Sequence, residues 1–249
     1  MKKLILAVAL VLVSTGSVFA AYVRPNTFMD KTGYRKVEEV KRFQALNNID
    51  VDGVVGPFTQ KVLYGPNMVA ADVITAKPTT GDWIVINKSK KILTYYRGDK
   101  PLYKFPVTLG TSETPTPSAK ATIVNKHKNP AWGGMGGKYT PAAADDPNNP
   151  LGERWMGLNI PGMSGYGIHG NIKPHQIGTY SSNGCIRMFN YDIETFIFPQ
   201  AKVGMPVWIG TDAELKSWGV EQLIFEDTQP AVPETPKAPQ YDTEELLVF

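Results

Sequence analysis

The chain's only cysteine and one of its three histidines stand where they could act together on an acyl substrate. His169 is followed by Gly170, and Cys185 comes 16 positions after His169, directly behind Gly184. A cysteine is a strong nucleophile only as thiolate, and an imidazole within reach can take its proton. Flanking glycines keep the backbone open to a substrate and leave N–H groups for an oxyanion. The pattern indicates nucleophilic acyl transfer, with Cys185 as nucleophile and His169 as one candidate general base.

Spacing alone leaves the choice of base open, because two other histidines are present. His127 lies among lysines and is expected to face solvent, and His175 lies in a predicted loop. A lone cysteine is more often a small buried residue than a catalytic one, but the glycines around Cys185 favour catalysis. One cysteine and three scattered histidines have no metal-ligand spacing, so we expect no metal and no cofactor.

The segments around both residues resemble the L,D-transpeptidase catalytic domain of the YkuD type. That family has His-Gly, then a loop, then Ser/Thr-x-Gly-Cys-apolar-Arg, which corresponds here to His169-Gly170 and Ser182-Asn183-Gly184-Cys185-Ile186-Arg187. Further similar segments are Ile123–Lys126, Asn129–Trp132, Asn149–Gly152 and Val203–Val207. The resemblance covers about residues 82–210, which is over half of the chain.

The resemblance implies a role for each matching residue. Cys185 would attack the L,D peptide bond that follows the third residue of a peptidoglycan stem peptide, with His169 as its base. The carbonyl of Gly170 would orient the imidazole. Ser182 and the N–H groups near Gly184 and Cys185 would form the oxyanion and substrate-binding part of the site.

Arg187 has two interpretations that the sequence leaves open. Its guanidinium could hold a substrate carboxylate in a forked contact, or it could form a structural salt bridge. The sequence also departs from the family pattern, since Asn183 replaces a common histidine and Pro117 a common glycine. We expect these changes to affect a contact behind the nucleophile and the path of one loop.

Short hydrophobic runs separated by glycine turns predict the strands that must position these residues. They lie at residues 83–87, 91–96, 102–109, 121–124 and 206–209. They indicate a mainly β catalytic domain over residues 82–210, sandwich or barrel-like, with a helix at Tyr191–Phe198. The long glycine-rich segment Ala131–Trp155 is interpreted either as a lid or as a disordered insertion.

Residues 34–74 predict a small all-α module, which a linker at residues 75–81 joins to the β domain. Apolar residues at three- and four-residue steps from Val37 to Leu46 predict one helix, and Thr59–Leu63 a second. The turn Asp52–Thr59 resembles that of the small peptidoglycan-binding domain, which favours wall binding over a spacer role.

The two ends of the chain have distinct compositions. Residues 1–20 have the positive start, apolar run and small residues of a signal peptide, and the run is too short to span a membrane. We therefore expect export to the periplasm or the wall, with no integral membrane segment after removal of the signal. Residues 221–249 are rich in acids and prolines and are predicted to be disordered.

These features together predict an exported cysteine acyltransferase that acts on peptidoglycan stem peptides. The acyl acceptor would be another stem peptide or the amine of a wall-anchored protein. Two alternatives stay open: an L,D-carboxypeptidase that uses water as acceptor, and a non-catalytic wall-binding protein. The formal net charge of +3 is too small to indicate a nucleic-acid partner.

Overall fold

The computed structural model describes residues 34–65 and 68–226. The predicted signal peptide over residues 1–20 lies outside the described residues, as does residue 227 onward. The strands are β1 Met68–Ile74, β2 Asp82–Asn87, β3 Ile92–Arg97, β4 Lys100–Pro106, β5 Leu109–Gly110, β6 Ala119–Lys128, β7 Arg154–Asn159, β8 Gly167–His169, β9 Tyr180–Ser182, β10 Ile186–Arg187, β11 Pro206–Gly210 and β12 Val220–Glu226.

Helices are fewer than strands among the described residues. They are α1 Tyr34–Leu46 and α2 Pro57–Tyr64, the short helices Gly134–Gly137, Asn190–Asp192 and Asp212–Ser217, the 3-10 turn Pro174–Gln176 and the π-helical turn Ile193–Ile197. The predicted mainly β fold is therefore confirmed. The helix predicted at Tyr191–Phe198 is present as the Asn190–Asp192 helix followed by the π-helical turn.

Eight strands form one sheet in the order β10-β8-β7-β6-β11-β2-β3-β4. The pairs β8–β10 and β2–β11 are parallel, and the other neighbouring strands are antiparallel. One core cluster contains Tyr95 and Phe105 from one end of the sheet and Ile168 and Ile186 from the other. The sheet therefore curls around this main core cluster. Its β8–β10 edge carries the predicted site.

Strand β2 shows why the sequence forms this sheet. Residues 83–87 are all buried, which suits a continuous apolar run covered on both faces. Ile84 and Ile86 join the main core, whereas Trp83 and Val85 pack in a second cluster with Trp208. Burial on alternate faces stabilises the centre of the sheet.

The two predicted helices are present and pack around a turn held by one buried side chain. The amide of Gln44 donates to Asp52 Oδ1 at 2.6 Å, and its oxygen accepts from the backbone N–H of Gly53 at 2.8 Å. Gly53 has a φ of +76°, a left-handed conformation that favours glycine. Val40 and Phe43 of α1 form a small core with Ile224 of β12.

The all-α prediction for residues 34–74 is wrong at its end, and the tail prediction is wrong at its start. β1 pairs antiparallel with β12 in a two-stranded ribbon. Acidic composition suggested disorder for β12, but Gln222 is buried and bonds to Thr94 Oγ1 at 2.7 Å. Backbone pairing and one buried face outweigh the charge of the exposed residues.

The predicted linker over residues 75–81 carries no helix or strand. The long segment Ala131–Trp155 is mostly irregular, contains the short helix Gly134–Gly137 and a bridge between Trp132 and Ala142, and enters β7 at Arg154. Within the described ranges, no helix has the length and apolar character needed to cross a membrane.

Candidate active site

The predicted base lies on β8, and the predicted nucleophile directly precedes β10, the parallel neighbour of β8. Ile186 of β10 pairs with Ile168 of β8, and Arg187 pairs with His169. Successive side chains of a strand point to opposite faces. The two isoleucines enter the core, so His169 and Arg187 share the opposite face of this sheet edge, and Cys185 is the residue directly before β10.

Two backbone carbonyls, those of Gly170 and Leu151, interact with the buried His169 ring. Its Nδ1 lies 2.7 Å from the carbonyl oxygen of Gly170. A carbonyl can only accept, so Nδ1 carries the proton and Nε2 keeps its lone pair for a substrate proton. A side chain at Gly170 would meet Asn190 Oδ1 at 2.4 Å, so a glycine is required to bring this carbonyl close.

The ring of His169 is also covered by an aromatic neighbour. Trp155 on β7 pairs with His169, and the two rings stack with centroids 5.8 Å apart. Burial lowers the pKa of His169 to about 3, and the nearby Arg187 charge acts in the same direction. The imidazole is therefore neutral at physiological pH and available as a base.

Cys185 is partly exposed just before β10. Its thiol donates to the carbonyl of Gly165 at 3.4 Å. Burial raises the pKa of the thiol, while the backbone of Gly167 and the Arg187 charge oppose that effect. The resting site therefore contains a neutral thiol and a neutral imidazole instead of an ion pair.

Ser182 holds the loop that carries the nucleophile. Its buried hydroxyl accepts from the N–H of Gly184 at 3.0 Å and donates to the carbonyl of Cys185 at 2.6 Å. Of the backbone N–H groups predicted to hold an oxyanion, that of Gly184 is therefore bonded within the loop. Ser182 likewise acts inside the loop in this structure.

Gly184 has a φ of +107°, and a side chain there would meet the Tyr166 ring at 2.7 Å. Its carbonyl accepts from the buried Thr116 hydroxyl at 2.9 Å. Thr116 directly precedes Pro117, the position that departs from the family pattern. The neighbouring loop therefore supports the nucleophile segment despite that departure.

Arg187 contacts an amide at the site. Its Nη1 donates to Gln176 Oε1 at 3.1 Å, and its buried Nε has no hydrogen-bond partner among residues 34–65 and 68–226. Within these same ranges no carboxylate forms an ion pair with it. The structural salt-bridge interpretation therefore gains no support, and a buried guanidinium N–H remains available for an acceptor.

The long loop reaches the site through Tyr139. The phenol oxygen of Tyr139 lies 3.4 Å from Asn183 Nδ2, and it interacts electrostatically with Arg187. The ring packs against Trp132 with centroids 5.7 Å apart. This arrangement favours the lid interpretation of the loop.

The other two histidines lie apart from this arrangement in exposed positions. Sequence reasoning missed Trp155, Tyr139 and Gln176, which contact the predicted site residues. Trp155, an aromatic residue before the His-Gly pair, was the one available signal in the sequence. Its contact with His169 could be recognised only once the register of β7 and β8 was known. Among the described residues, no group of three histidine, cysteine or acidic side chains is placed to hold a metal ion.

Comparison with known proteins matches this region to one family. Residues 81–209 match the YkuD family model, described as the L,D-transpeptidase catalytic domain. YqjB of Bacillus subtilis, whose name places it among the L,D-transpeptidases, is 32% identical over 138 residues, 54% of this chain and 75% of that protein. YkuD of the same organism is 32% identical over 163 residues, 62% of this chain and 87% of that protein.

Of two other relatives, YkuD of Bacillus licheniformis and YbiS of Escherichia coli, the chain covers only 54% and 44% of the length. Among solved structures, the L,D-transpeptidase of Xylanimonas cellulosilytica matches with a TM-score of 0.48 and 18% identity. That match covers 72% of this chain and 81% of the other.

Proposed function

Because the chain belongs to the YkuD-type L,D-transpeptidase family, we propose that it transfers acyl groups of peptidoglycan stem peptides through a thioester on Cys185. The observation that carries this proposal is the position of Cys185 directly before β10, the parallel neighbour of the strand β8 that carries His169. The Nδ1 contact with Gly170 leaves Nε2 of the imidazole as the proton acceptor. These two groups would then form the reacting pair.

The first half-reaction releases the terminal D-residue of the donor stem. As the Cys185 sulfur attacks the carbonyl carbon of the L,D peptide bond, its proton moves to His169 Nε2. The imidazolium then gives this proton to the leaving amine, and a thioester remains. Because the pKa of His169 is about 3, the imidazolium is a strong acid and protonates that amine readily.

The oxyanion of the tetrahedral intermediate needs at least one directed N–H donor. We assign this role to the N–H of Cys185, because the N–H of Gly184 is bonded to Ser182. Arg187 would bind a substrate carboxylate through its unpartnered Nε. A charged acceptor would compensate the cost of burying that group.

The second half-reaction resolves the thioester. An acceptor amine attacks the thioester carbonyl, its excess proton passes to His169, and the thiol of Cys185 is restored. With a stem-peptide amine the product is a cross-link, and with a wall-anchored protein it is an attachment. Water in place of the amine would give the L,D-carboxypeptidase. The Tyr139 loop over the site favours transfer, because a covering loop limits access of water.

We also propose that the enzyme works outside the cytoplasm, in the periplasm or at the wall, as the sequence of residues 1–20 predicts. The helical module would then contact the wall. Its turn lines a groove of about 660 Å³ together with Lys90, Asp212 and Gln222 of the β domain. The exposed Phe58 ring at this groove offers an apolar surface to a wall fragment.

Intact mass after incubation with a carbapenem tests the nucleophile directly. Ring opening by the thiol adds the whole carbapenem mass, because no atom leaves. We expect one adduct on the wild type and none on Cys185→Ala. A folded wild type without any adduct would contradict the proposal.

Mass analysis of products from a tetrapeptide stem then separates the alternatives. Dimeric stems support transfer, whereas trimmed monomers alone support the carboxypeptidase. A wild type that binds wall material as well as Cys185→Ala does, and yields neither product, would support the non-catalytic alternative.

A further inference from the structure

The 3-10 turn Pro174–Gln176 lies between the helical module and Arg187. The side chain of Gln176 accepts from Arg187 Nη1, and its backbone carbonyl accepts from Thr108 Oγ1 at 2.7 Å. Thr108 in turn exchanges two backbone hydrogen bonds with Arg187, at 2.9 and 3.0 Å. Gln176, Thr108 and Arg187 therefore form one connected unit beside the nucleophile.

The module holds the other side of this turn. Lys41 on α1, which is 4% exposed, donates from Nζ to the carbonyl of His175 at 3.1 Å. Val51 packs so closely that a side chain at Gly178 would lie 2.8 Å from its Cγ1. Ile177 between these contacts is fully buried. The position of the turn thus depends on the module.

A second contact from α1 reaches the chain just after Arg187. Arg42 forms an ion pair with Asp192 at 3.0 Å, and the Asp192 side chain is fully buried. The Arg42 guanidinium also lies 4.6 Å above the ring of Phe189. The segment that contains Arg187 is therefore fixed by α1 both through the turn and through Phe189.

We infer that the helical module is a positioning part of the active site: Lys41, acting through the Pro174–Gln176 turn, holds Gln176 against Arg187 and so sets the place of the guanidinium beside Cys185. This goes beyond wall binding and rests on the proposed role of Arg187 in the acyl-transfer site. Without the Lys41 contact the turn can shift, and the guanidinium loses its acceptor Gln176 Oε1. Substrate carboxylate binding and the electrostatic support of the Cys185 thiolate then weaken together.

Two variants test the inference, with Lys61→Met as the matched control. Lys41→Met keeps the apolar stem and removes the donor, and Gln176→Ala removes the acceptor at a partly exposed position. The control lysine lies on α2 and pairs with Glu226 instead. Gln176→Ala keeps the test valid if Lys41→Met fails to fold.

The first readout separates KM from kcat on a stem-peptide substrate. We expect both variants to raise KM about tenfold with a smaller change in kcat, the size of one lost hydrogen bond to a charged group. The second readout is the pH dependence of Cys185 alkylation by iodoacetamide. We expect the rise in rate to move to higher pH in both variants, in the direction of Arg187→Gln, and to stay in place in Lys61→Met.

Wild-type KM and an unshifted alkylation profile in folded Lys41→Met and Gln176→Ala would overturn the inference. An unshifted profile in Arg187→Gln would overturn it as well, because the guanidinium would then not act on the thiol. Alkylation needs no stem peptide. If the wild type turns over no stem peptide but the profiles shift as expected, the proposed function fails and the positioning role of the module stands.

Discussion

The ring of Trp155 stacks on the ring of His169, with centroids 5.8 Å apart, across the β7–β8 pair. The stack covers the predicted base from solvent on one side. The stack depends on the register of β7 and β8, because Trp155 and His169 are direct cross-strand partners. The low pKa of His169, which burial causes, is therefore expected to depend on this cover.

Removing the cover is expected to change the pH profile of the reaction. Trp155→Ala hydrates the imidazole, so the pKa of His169 rises and the acid limb of kcat/KM moves to higher pH. In the wild type we expect that limb near pH 3, because the pKa of His169 is about 3. We expect kcat/KM at neutral pH to fall about tenfold, since a mobile base is a poorer catalyst.

Trp155→Phe is the matched control for this change. It keeps a ring on His169 and loses the indole contact with Asn125 Oδ1 at 2.9 Å. We expect its acid limb to stay near that of the wild type. Identical profiles for the alanine and phenylalanine variants would show that the stack does not set the basicity of His169.

The buried imidazole also links stability to pH. The pKa of His169 is about 3 in the fold and about 6.5 in an unfolded chain. Between these values the unfolded state binds more protons, so stability falls as the pH drops. From pH 7 to pH 4 this group should remove about 3 kcal/mol of the free energy of unfolding.

Urea unfolding at both pH values, on wild type and His169→Gln, isolates that contribution. The variant should lose less stability on acidification, because its side chain does not titrate. His127→Gln, at an exposed histidine, should behave as the wild type. Equal losses in all three proteins would contradict the assigned pKa.

A side chain at Gly184 is expected to damage the nucleophile loop. Gly184→Ala would adopt a φ of +107° and bring its Cβ within 2.7 Å of the Tyr166 ring. Left-handed backbone and steric overlap together should cost at least about 2 kcal/mol. Calorimetry should show a lower Tm, and carbapenem acylation should slow.

Gly204→Ala separates backbone strain from overlap. Gly204 has a φ of +87°, but nothing lies within 4 Å of an added Cβ. We therefore expect it to lose stability through strain alone and to keep the wild-type acylation rate. If the two variants lose the same stability and rate, the contact with Tyr166 has no role.

The hydroxyl of Ser182 is expected to matter for rate through its bonds within the nucleophile loop. Ser182→Ala leaves Gly184 N–H and Cys185 C=O without their partner. An unsatisfied buried group costs about 1–3 kcal/mol, and the loop should relax. We expect kcat to fall at least about tenfold, measured by single-turnover acylation.

Ser181→Ala provides the comparison for this variant. The neighbouring hydroxyl of Ser181 bonds only to Thr179 Oγ1 among the described residues. Its loss should leave acylation unchanged. Equal acylation rates for Ser182→Ala and Ser181→Ala would show that the Ser182 hydroxyl has no role in the site.

Sequence reasoning succeeded where signals were local. The apolar run Trp83–Asn87 predicts β2, and the structure buries all five of these residues. It failed for β12, where Gln222 is buried through bonds to Asn87 and Thr94. Those partners lie more than 120 positions away along the chain, and no local pattern shows that an amide will be satisfied there.

The candidate site divides in the same way. Cys185 and His169 could be predicted because each stands in a short glycine-marked motif. Trp155 and Gln176 could not, because their contacts depend on strand register and on a turn placed by another part of the chain. The sequence also did not show that the N–H of Gly184 donates to the hydroxyl of Ser182.

The β1–β12 ribbon has a consequence for the order in which the chain can fold. Ile224 packs with Val40 and Phe43 of α1, so the core of the first helices is completed by a strand made more than 150 residues later. The helices can form early, but their apolar face stays uncovered until β12 emerges. Contacts of such long sequence separation slow folding. The β12 segment therefore completes the core of the helices last. A chain that is cut before residue 220 should expose that core and aggregate.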